Sequence, residues 1–390
     1  MNTPHLMGNY GTRSFNLVKG QGSRVWDETG KEYLDVVSGL AVCGLGHCHP
    51  AVAEAISNQA KELIHCSNLF GIPWQQSLAD KLAAISGLDQ SFFCNSGTEA
   101  NEAAIKLCRL YGQSKGIETP NILVCQGAFH GRSMGALSAT WGSKARNGFA
   151  PLLEGFSHVP YGDLEAIAST ATENTVAVML EPVQGEAGVV IPPQGYLDDL
   201  RALCDAKGWL LVFDEIQTGN GRTGSYFAFQ QTQAKPDVLT TAKGLGNGVP
   251  IGACLATEEI GKLLVPGTHG STFGGNPLVC AAACAVVDTI QQKNLYEQAA
   301  KTGAAIVDGF KERLAGLSQI VDIRNAGMMI AIELNAPCAD LVAKAADVGL
   351  IINVTGGNRI RLLPPLNLSE ADVELLLNRL CPLIQEWEAN

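Results

Sequence analysis

The middle of the chain alternates short apolar runs with stretches of helical spacing. Nearly continuous apolar runs occupy residues 121–125 (NILVC), 176–180 (VAVML) and 209–213 (WLLVF). Strands buried on both faces have this character, whereas residues 197–207, just before the third run, have the spacing of a helix. The alternation predicts an α/β fold with a mostly parallel, doubly wound sheet between helices.

The two ends of the chain follow a different pattern. Residues 18–35 read as short strands joined by turns. The pattern after Pro277 predicts, in order, a helical region to about Leu317, a strand at 328–334, a helix at 339–348, a hairpin around 356–358 and a helix from Ser369. We predict a large domain at residues 56–277 and a smaller α+β domain that combines residues 1–55 with residues 278–390.

Composition narrows the classes of protein to which this chain can belong. Of its 390 residues, 46% are apolar and 17% are charged, which is typical of a well-buried globular enzyme. The net charge of −11 argues against binding of DNA or RNA, which requires a basic surface. We see no signal-peptide pattern, and the longest apolar stretch, residues 278–287, is too short to span a bilayer. The twelve cysteines include no CxxC pair and are typical of a reducing compartment, so we expect a soluble cytoplasmic protein.

Two charged residues follow predicted strands near the centre of the chain. Asp214 comes directly after the apolar run at 209–213, and Lys243 follows a short run at 238–241. In open α/β sheets, ligands bind at the carboxyl ends of strands, and a semi-buried lysine can act as nucleophile and base. Asp214 alone fits a helix N-cap equally well, and a lone lysine is usually a solvated surface residue. The glycines at 244, 246 and 248 favour a ligand site near Lys243, because they let backbone approach a ligand closely.

A helix is predicted to begin within residues 95–102 (NSGTEANE). Ser96 and Glu99 form an S-x-x-E capping box after a short apolar run. The pattern fits an ordinary helix start, but a glycine at a helix N-terminus with hydroxyl groups beside it can also hold a phosphate group. Gly97 and Thr98 are therefore candidate phosphate ligands.

An aromatic ring, an imidazole and a guanidinium follow the predicted strand at 121–125. They belong to Phe129, His130 and Arg132. Phe129 can be a core residue or can stack on a planar ligand, and Arg132 can be a surface charge or can bind a carboxylate through two hydrogen bonds. The residues alone leave both alternatives open.

Two further motifs carry weaker signals. Residues 219–224 (GNGRTG) match GxGxxG, but polar residues separate the motif from the strand and residues 225–229 are a poor helix start. A nicotinamide dehydrogenase is therefore the less favoured alternative. The His47-Cys48-His49 segment lacks a second ligand pair at zinc-like spacing, and we predict no metal site.

Taken in order, these elements resemble the class III (subgroup II) aminotransferases over nearly the whole chain. The shared motifs are residues 26–27 (WD), 38–42 (SGLAV), 46–50 (GHCHP), 181–186 (EPVQGE), 214–219 (DEIQTG), 269–277 (HGSTFGGNP) and 361–366 (RLLPPL). The resemblance implies the type I fold of enzymes that depend on pyridoxal 5'-phosphate (PLP), in which a large domain with a mostly parallel sheet adjoins a smaller α+β domain.

The resemblance also implies a cofactor site around Lys243 and Asp214, the two predicted catalytic residues. Lys243 would hold PLP as a Schiff base, and Asp214 would keep the ring nitrogen protonated. Gln217 would lie near the ring hydroxyl, and Phe129 would stack on the ring. The complete predicted cofactor-binding set is Gly97, Thr98, Phe129, Asp214, Glu215, Ile216, Gln217, Lys243 and Thr272.

Four further residues are assigned to substrates by the same resemblance. Ser271 and Arg132 would contact the amine donor, and Arg361 would take the α-carboxylate of glutamate or 2-oxoglutarate. Glu186 would pair with Arg361 when the other substrate is bound. Thr272 would reach the phosphate group from the other subunit, which implies a homodimer with shared active sites.

The implied reaction moves the terminal amino group of a small molecule to 2-oxoglutarate. The compact length and the pattern L-A-V-x-x-L-G-H at residues 40–47 favour N2-acetyl-L-ornithine as the donor. Succinylornithine, ornithine and 4-aminobutyrate are alternatives, since all present a terminal amine. The same scaffold also hosts aminomutases, decarboxylases and racemases. A cofactor-free binding protein is disfavoured by the intact lysine, aspartate and phosphate loop.

Overall fold

A seven-stranded sheet forms the centre of the computed structural model, which describes residues 5–11 and 14–388. In spatial order its strands are β4 (Gln90–Cys94), β10 (Gly252–Ala256), β9 (Val238–Thr241), β8 (Leu210–Asp214), β7 (Thr175–Leu180), β5 (Asn121–Cys125) and β6 (Phe156–Val159). Strands β9, β8, β7, β5 and β6 are mutually parallel, and β10 runs antiparallel to both β9 and β4. The predicted α/β fold with a mostly parallel sheet is confirmed.

The central strands are apolar throughout because both faces of the sheet are covered. Every residue of β7, β8, β9 and β10 is buried. Successive residues of β8 alternate between two hydrophobic clusters, with Leu211 and Phe213 in one and Leu210 and Val212 in the other. Side chains on a strand point to opposite faces in turn, so the two clusters lie on the two sides of the sheet.

Helical segments fill the intervals between strands. They are α1 (Ser38–Ala41), α2 (Pro50–Glu62), α3 (Pro73–Ser86), α4 (Gly97–Ser114), α5 (Met134–Ala139), α6 (Ser143–Arg146), α7 (Leu164–Thr170), α8 (Tyr196–Lys207), α9 (Glu258–Gly261), α10 (Pro277–Gln292), α11 (Leu295–Arg313), α12 (Leu341–Asp347) and α13 (Glu370–Gln385). Helix α4 packs against β9 and β10, α8 packs against β8, and α10 packs against α2 and α3. Among the described residues, no helix combines the length and apolar character needed to cross a membrane.

Two smaller sheets are built from the ends of the chain. One contains β1 (Leu17–Gln21), β2 (Arg24–Asp27), β3 (Glu32–Asp35) and β13 (Leu350–Ile351), and the other contains β11 (Ile320–Ala326), β12 (Met329–Leu334), β15 (Arg359–Leu362) and β14 (Asn353–Thr355). Strand β3 pairs in parallel with β13, so both ends contribute to one sheet. The division at residues 55/56 and 277/278 stays a prediction, and residues 1–4, 12–13 and 389–390 of the predicted smaller domain lie outside the described residues.

The helical region predicted after Pro277 is divided in two. Helix α10 ends at Gln292 and α11 begins at Leu295. Asn294 between them has a φ of 49°, in the left-handed region that asparagine tolerates better than most residues. The break lets α11 turn away from α10 and pack against β11 and α13.

Segment α1 is a left-handed turn that leads directly into the cavity described below. Ser38, Gly39, Leu40 and Ala41 all have positive φ values, between 51° and 67°. Only one of the four is a glycine, and each of the others is disfavoured there by about 1–2 kcal/mol. Ala41 packs in a small apolar cluster with Val189, which itself has a φ of 54°. Surrounding packing therefore holds two unusual backbone segments against each other.

Candidate active site

A cavity of about 390 Å³ opens at the carboxyl edge of the central sheet. Eight predicted ligand residues line it, namely Gly97, Thr98, Phe129, Arg132, Asp214, Ile216, Gln217 and Lys243. They come from segments that follow β4, β5, β8 and β9. The fold therefore gathers residues that are up to 146 positions apart in the sequence at one edge of one sheet.

Asp214 is buried at the end of β8 and is held by three donors. Its Oδ2 accepts hydrogen bonds from Asn101 Nδ2 at 2.8 Å and His130 Nδ1 at 2.7 Å, and its Oδ1 accepts one from the Ile216 amide at 3.1 Å. Asn101 Oδ1 in turn accepts a hydrogen bond from Thr240 Oγ1, which fixes the orientation of the amide. Three hydrogen bonds therefore fix the position of both carboxylate oxygens.

The His130 ring lies behind that carboxylate, with Nδ1 2.7 Å from Asp214 Oδ2. Burial lowers the pKa of His130, but its hydrogen bond to Asp214 and the charge of that carboxylate outweigh burial and leave the pKa raised. Its Nε2 is buried and has no partner among the described residues. Asp214 is therefore the hydrogen-bond partner of the ring among the described residues.

Lys243 follows β9 in a single 3₁₀ turn with a φ of 44°. Burial lowers the pKa of its amine, and the charge of Arg361 lowers it further, while Glu186 and two other carboxylates oppose the shift. The amine has no hydrogen-bond or ion-pair partner among the residues that the structure describes. A lysine with a lowered pKa keeps a larger fraction of neutral amine, which is the form that reacts with an aldehyde and accepts a proton.

The start of α4 forms the far wall of the cavity. Ser96 Oγ accepts a hydrogen bond from the Glu99 amide at 3.4 Å, as the capping box predicts. The Glu99 carboxylate, however, accepts from the Asn95 amide at 2.5 Å and not from the Ser96 amide. The amides of Gly97 and Thr98 lie in the first helical turn, where intrahelical acceptors are lacking. They are available to bind an anion such as a phosphate group.

Phe129 and Arg132 lie on the loop after β5. The Phe129 amide donates a hydrogen bond to Glu181 Oε1 at 3.0 Å, and the Gly185 amide donates to Oε2 at 3.1 Å. Burial raises the pKa of Glu181 to about 7. The exposed guanidinium of Arg132 lies 5.5 Å from the centre of the Phe129 ring. The ring is therefore held as one wall of the cavity, with a positive charge at its rim.

Glu186 and Arg361, two predicted substrate residues, form an ion pair. Arg361 Nη1 lies 2.6 Å from Glu186 Oε1, and only 1% of Arg361 is exposed. Gln217 bridges them, since its Nε2 donates to Glu186 Oε1 at 3.3 Å and its Oε1 accepts from Arg361 Nη1 at 3.2 Å. Asn353 Oδ1 accepts from Nη2 of the same arginine at 2.8 Å. Burial raises the pKa of Glu186, but Arg361 outweighs it and the pKa is lowered, so the pair is charged.

Five of the thirteen predicted ligands do not line the cavity of this chain. Glu186 and Arg361 adjoin it through Gln217, and the other three lie farther from it. Glu215 turns away and accepts hydrogen bonds from Thr218 Oγ1 and from the amides of residues 228 and 229, while burial raises its pKa to about 7. Ser271 Oγ accepts a hydrogen bond from Asn95 Nδ2 at 3.1 Å. Asn95 lines the cavity and separates Ser271 from it. Thr272 is exposed.

The two weaker motifs have structural partners. The Arg222 side chain within residues 219–224 is buried and donates to the carbonyls of Met328 and Pro364, and no long helix follows. His47 Nε2 lies 2.8 Å from Asp35 Oδ2, and this hydrogen bond raises the pKa of His47 to about 10. Within residues 5–11 and 14–388, no group of three or more His, Cys, Asp or Glu residues is arranged to hold a metal ion.

Two of the three residues that donate hydrogen bonds to Asp214 were not predicted from the sequence. Asn101 lies among the buried alanines of α4, and a buried amide on an apolar helix face is a signal that could have been followed. His130 lies inside a motif that we singled out, but no sequence pattern indicated its partner. Both form direct hydrogen bonds to Asp214.

The donor set of the cavity fits PLP. Asp214 can accept from a ring nitrogen, Phe129 offers a stacking face, and the start of α4 offers amides to a phosphate group. Lys243 supplies an amine without another partner among the described residues. The cavity volume of about 390 Å³ lies within the range of ligand pockets.

Comparison with known proteins identifies the family. The family model named Aminotransferase class-III matches residues 7–384. The acetylornithine aminotransferase of Nitrosomonas europaea is 49% identical over 97% of both chains. That of Methanothermobacter thermautotrophicus is 44% identical over 98% of this chain and 96% of its own.

Solved structures agree with this assignment. The ornithine aminotransferase from Toxoplasma gondii has a TM-score of 0.95 and 34% identity over 98% of this chain and 93% of its own. A second structure of that enzyme, with PLP at partial occupancy in its active site, has a TM-score of 0.93 and 34% identity over 97% and 91%. Class III aminotransferases depend on PLP, which confirms the predicted cofactor. The chain belongs to the class III aminotransferases.

Proposed function

We propose that this chain transfers the terminal amino group of N2-acetyl-L-ornithine to 2-oxoglutarate. The products are N-acetyl-L-glutamate 5-semialdehyde and L-glutamate, and the step serves arginine biosynthesis. Its full-length relatives named acetylornithine aminotransferase support this donor. The observation that carries the proposal is the ion pair between the buried Arg361 and the half-buried Glu186. The charge of Glu186 raises the pKa of the Lys243 amine and that of Arg361 lowers it.

Three residues of the chain would hold the cofactor and move the proton. When bound, PLP supplies an electron sink for the carbon that loses a proton. Asp214 would hold a proton on the ring nitrogen, and hydrogen bonds from Asn101 and His130 hold its carboxylate in position. The Lys243 amine, with its lowered pKa, would take the proton from the substrate carbon and return it. Phe129 would fix the plane of the ring.

The Glu186–Arg361 pair explains how one site accepts two unlike substrates. N2-acetylornithine carries no carboxylate at its reacting carbon, so Arg361 would stay paired with Glu186. 2-Oxoglutarate carries a carboxylate there, which would replace Glu186 as the partner of Arg361. At the other end of the site, Arg132 and Ser271 would contact the acetylated part of the donor.

We also propose a homodimer in which Thr272 completes the phosphate site of the other subunit. Thr272 is exposed and does not line the cavity of its own chain. Beside it, Phe273 is 61% exposed and its ring packs on His65, while Leu69 and Phe70 on the adjoining segment are also exposed. Apolar surface of this kind marks an interface. Sedimentation equilibrium is expected to give twice the chain mass, and a monomer at catalytic concentrations would contradict the shared site.

The nine buried cysteines are consistent with a cytoplasmic location, which we propose as well.

The visible absorbance of the purified protein tests the cofactor and both substrates. We expect a PLP band that bleaches with N2-acetylornithine and returns with 2-oxoglutarate, while ornithine and 4-aminobutyrate bleach it more slowly. Ornithine is the important comparison, because ornithine aminotransferases share this fold closely. A band that ornithine bleaches faster would overturn the proposed donor. Absence of any band after incubation with PLP would overturn the role of Lys243.

The Asp214→Asn variant is expected to bind PLP and to lose turnover by a factor on the order of 10³. Two unit charges about 4 Å apart interact by about 4 kcal/mol at an effective dielectric constant of 20, which corresponds to that factor. Steady-state kcat and PLP affinity are measured together. Asp288→Asn is the matched control, because Asp288 pairs with Lys81 on helices away from the cavity. Near-normal turnover of Asp214→Asn would exclude the proposed role of its charge.

The Arg361→Ala variant is expected to slow the 2-oxoglutarate half-reaction about 10- to 100-fold more than the donor half-reaction. A hydrogen bond to a charged group contributes about 1.5–3 kcal/mol, and only 2-oxoglutarate would use this arginine as a ligand. Stopped-flow measurement of each half-reaction separates the two. Equal losses in both would contradict the exchange of partners at Arg361.

A further inference from the structure

The loop that carries Glu186 is held by its backbone. Four successive carbonyl groups accept hydrogen bonds from side chains of the C-terminal part of the chain. The bonds run from Thr355 Oγ1 to the carbonyl of Glu186, from Arg359 Nη1 to that of Ala187 (3.1 Å), from Arg324 Nη2 to that of Gly188 (2.7 Å) and from Arg324 Nε to that of Val189 (2.8 Å). Hydrogen bonds to four consecutive carbonyl groups fix the backbone of residues 186–189 along its whole length rather than at a single point.

Glu333 joins the two arginines into one unit. Its Oε1 accepts from Arg359 Nη2 at 3.0 Å and its Oε2 accepts from Arg324 Nη1 at 2.8 Å. The register of β12 and β15 places Glu333 directly opposite Arg359. The hydrogen bond from Arg359 lowers the pKa of Glu333, so the carboxylate stays charged between two cations. We call Arg324, Glu333, Thr355 and Arg359 the carbonyl clamp.

The backbone of the loop requires such support. Gly188 has a φ of 98°, and Val189, a β-branched residue, has a φ of 54°. A β-carbon added to Gly185 would lie 2.1 Å from Gln217 Oε1, so the loop also passes very close to the site. Backbone in such sparsely populated regions persists only where its surroundings determine it.

The clamp leaves the Glu186 side chain free of its own contacts. It binds only the Glu186 carbonyl and those that follow, whereas the Glu186 carboxylate binds Arg361 and Gln217. The carboxylate can therefore leave Arg361 by side-chain rotation while its α-carbon stays in place. The clamp therefore sets the distance between the Glu186 α-carbon and Arg361, over which the carboxylate must reach to pair again.

We propose that the carbonyl clamp is a specificity-determining device that positions Glu186 to pair with Arg361 whenever the amine donor occupies the site. The proposal rests on the exchange of partners described under the proposed function. Because the donor half-reaction needs the paired state, loosening the loop weakens that half-reaction selectively. The half-reaction with 2-oxoglutarate needs the unpaired state, so loosening the loop does not weaken it.

The test compares three holoenzyme variants with a matched control. Arg359→Met removes one carbonyl bond and the link to Glu333, Arg359→Lys restores the charge, and Thr355→Val removes a single hydroxyl. Arg313→Met is the control, because Arg313 also binds a glutamate and is 31% exposed against 29% for Arg359. Arg313 lies at the end of α11 and contacts α13.

In stopped-flow half-reactions, the ratio of donor to 2-oxoglutarate kcat/KM is expected to fall about tenfold in Arg359→Met and about threefold in Thr355→Val. These factors correspond to the loss of one or two hydrogen bonds. Arg359→Lys is expected to recover part of the ratio, and Arg313→Met to leave it unchanged. Equal losses in both half-reactions, or an unchanged ratio, would overturn the proposal.

Binding of glutarate to the same holoenzymes provides a reading that does not depend on the donor. Glutarate is an unreactive dicarboxylate that competes with Glu186 for Arg361. Calorimetry is expected to give tighter binding in Arg359→Met and Thr355→Val, about 3- to 10-fold by the same reasoning, whereas a merely disordered site would bind it more weakly. Unchanged or weaker binding would reject the clamp. Tighter binding in an enzyme that does not react with N2-acetylornithine would reject the proposed donor and keep the clamp.

Discussion

The active site depends on burying charges at the carboxyl edge of an apolar sheet. A charge that leaves water without a partner costs several kcal/mol, so each one at this edge must be matched. Asp214 has His130 and Asn101, and Arg361 has Glu186. Lys243 is the exception, because no described residue forms a hydrogen bond or ion pair with its amine. Burial lowers the pKa of that amine, and no carboxylate in the described part of the chain is close enough to form an ion pair with it.

The sheet could be predicted from the sequence because parallel strands that are buried on both faces consist of unbroken apolar runs. The run at 121–125 is the observed β5, and the run at 176–180 differs from β7 by one residue. Asp214 and Lys243 were found for the same reason, since each interrupts or follows such a run. The break between α10 and α11 was missed, because Asn294 adopts a left-handed conformation inside an otherwise helical pattern.

Contacts between distant segments were beyond the reach of sequence patterns. Asn101 and His130 carry no periodic signal that links them to Asp214, and their roles follow from three strand ends meeting at one edge. The pairing of Glu186 with Arg361 came from family resemblance and not from spacing. The hydrogen bonds of Arg324 and Arg359 to residues 187–189 cross more than 130 positions of sequence and end on backbone carbonyls, which no residue pattern can encode.

The left-handed turn at Ser38–Ala41 bears on how this enzyme could acquire a new donor. Val42, immediately after it, lines the cavity, and Ala41 packs with Val189 beyond it. Three non-glycine residues held at positive φ cost several kcal/mol together, roughly 1–2 kcal/mol each, so the packing around them and the hydrogen bonds of residues 37 and 38 to Asp35 are needed to retain that conformation. A change in the size of a buried side chain in that cluster would let the turn relax and would move the cavity wall without altering any residue that touches substrate. Selection for altered donors can therefore act through core residues, and variants with new preferences need not carry their substitutions in the cavity.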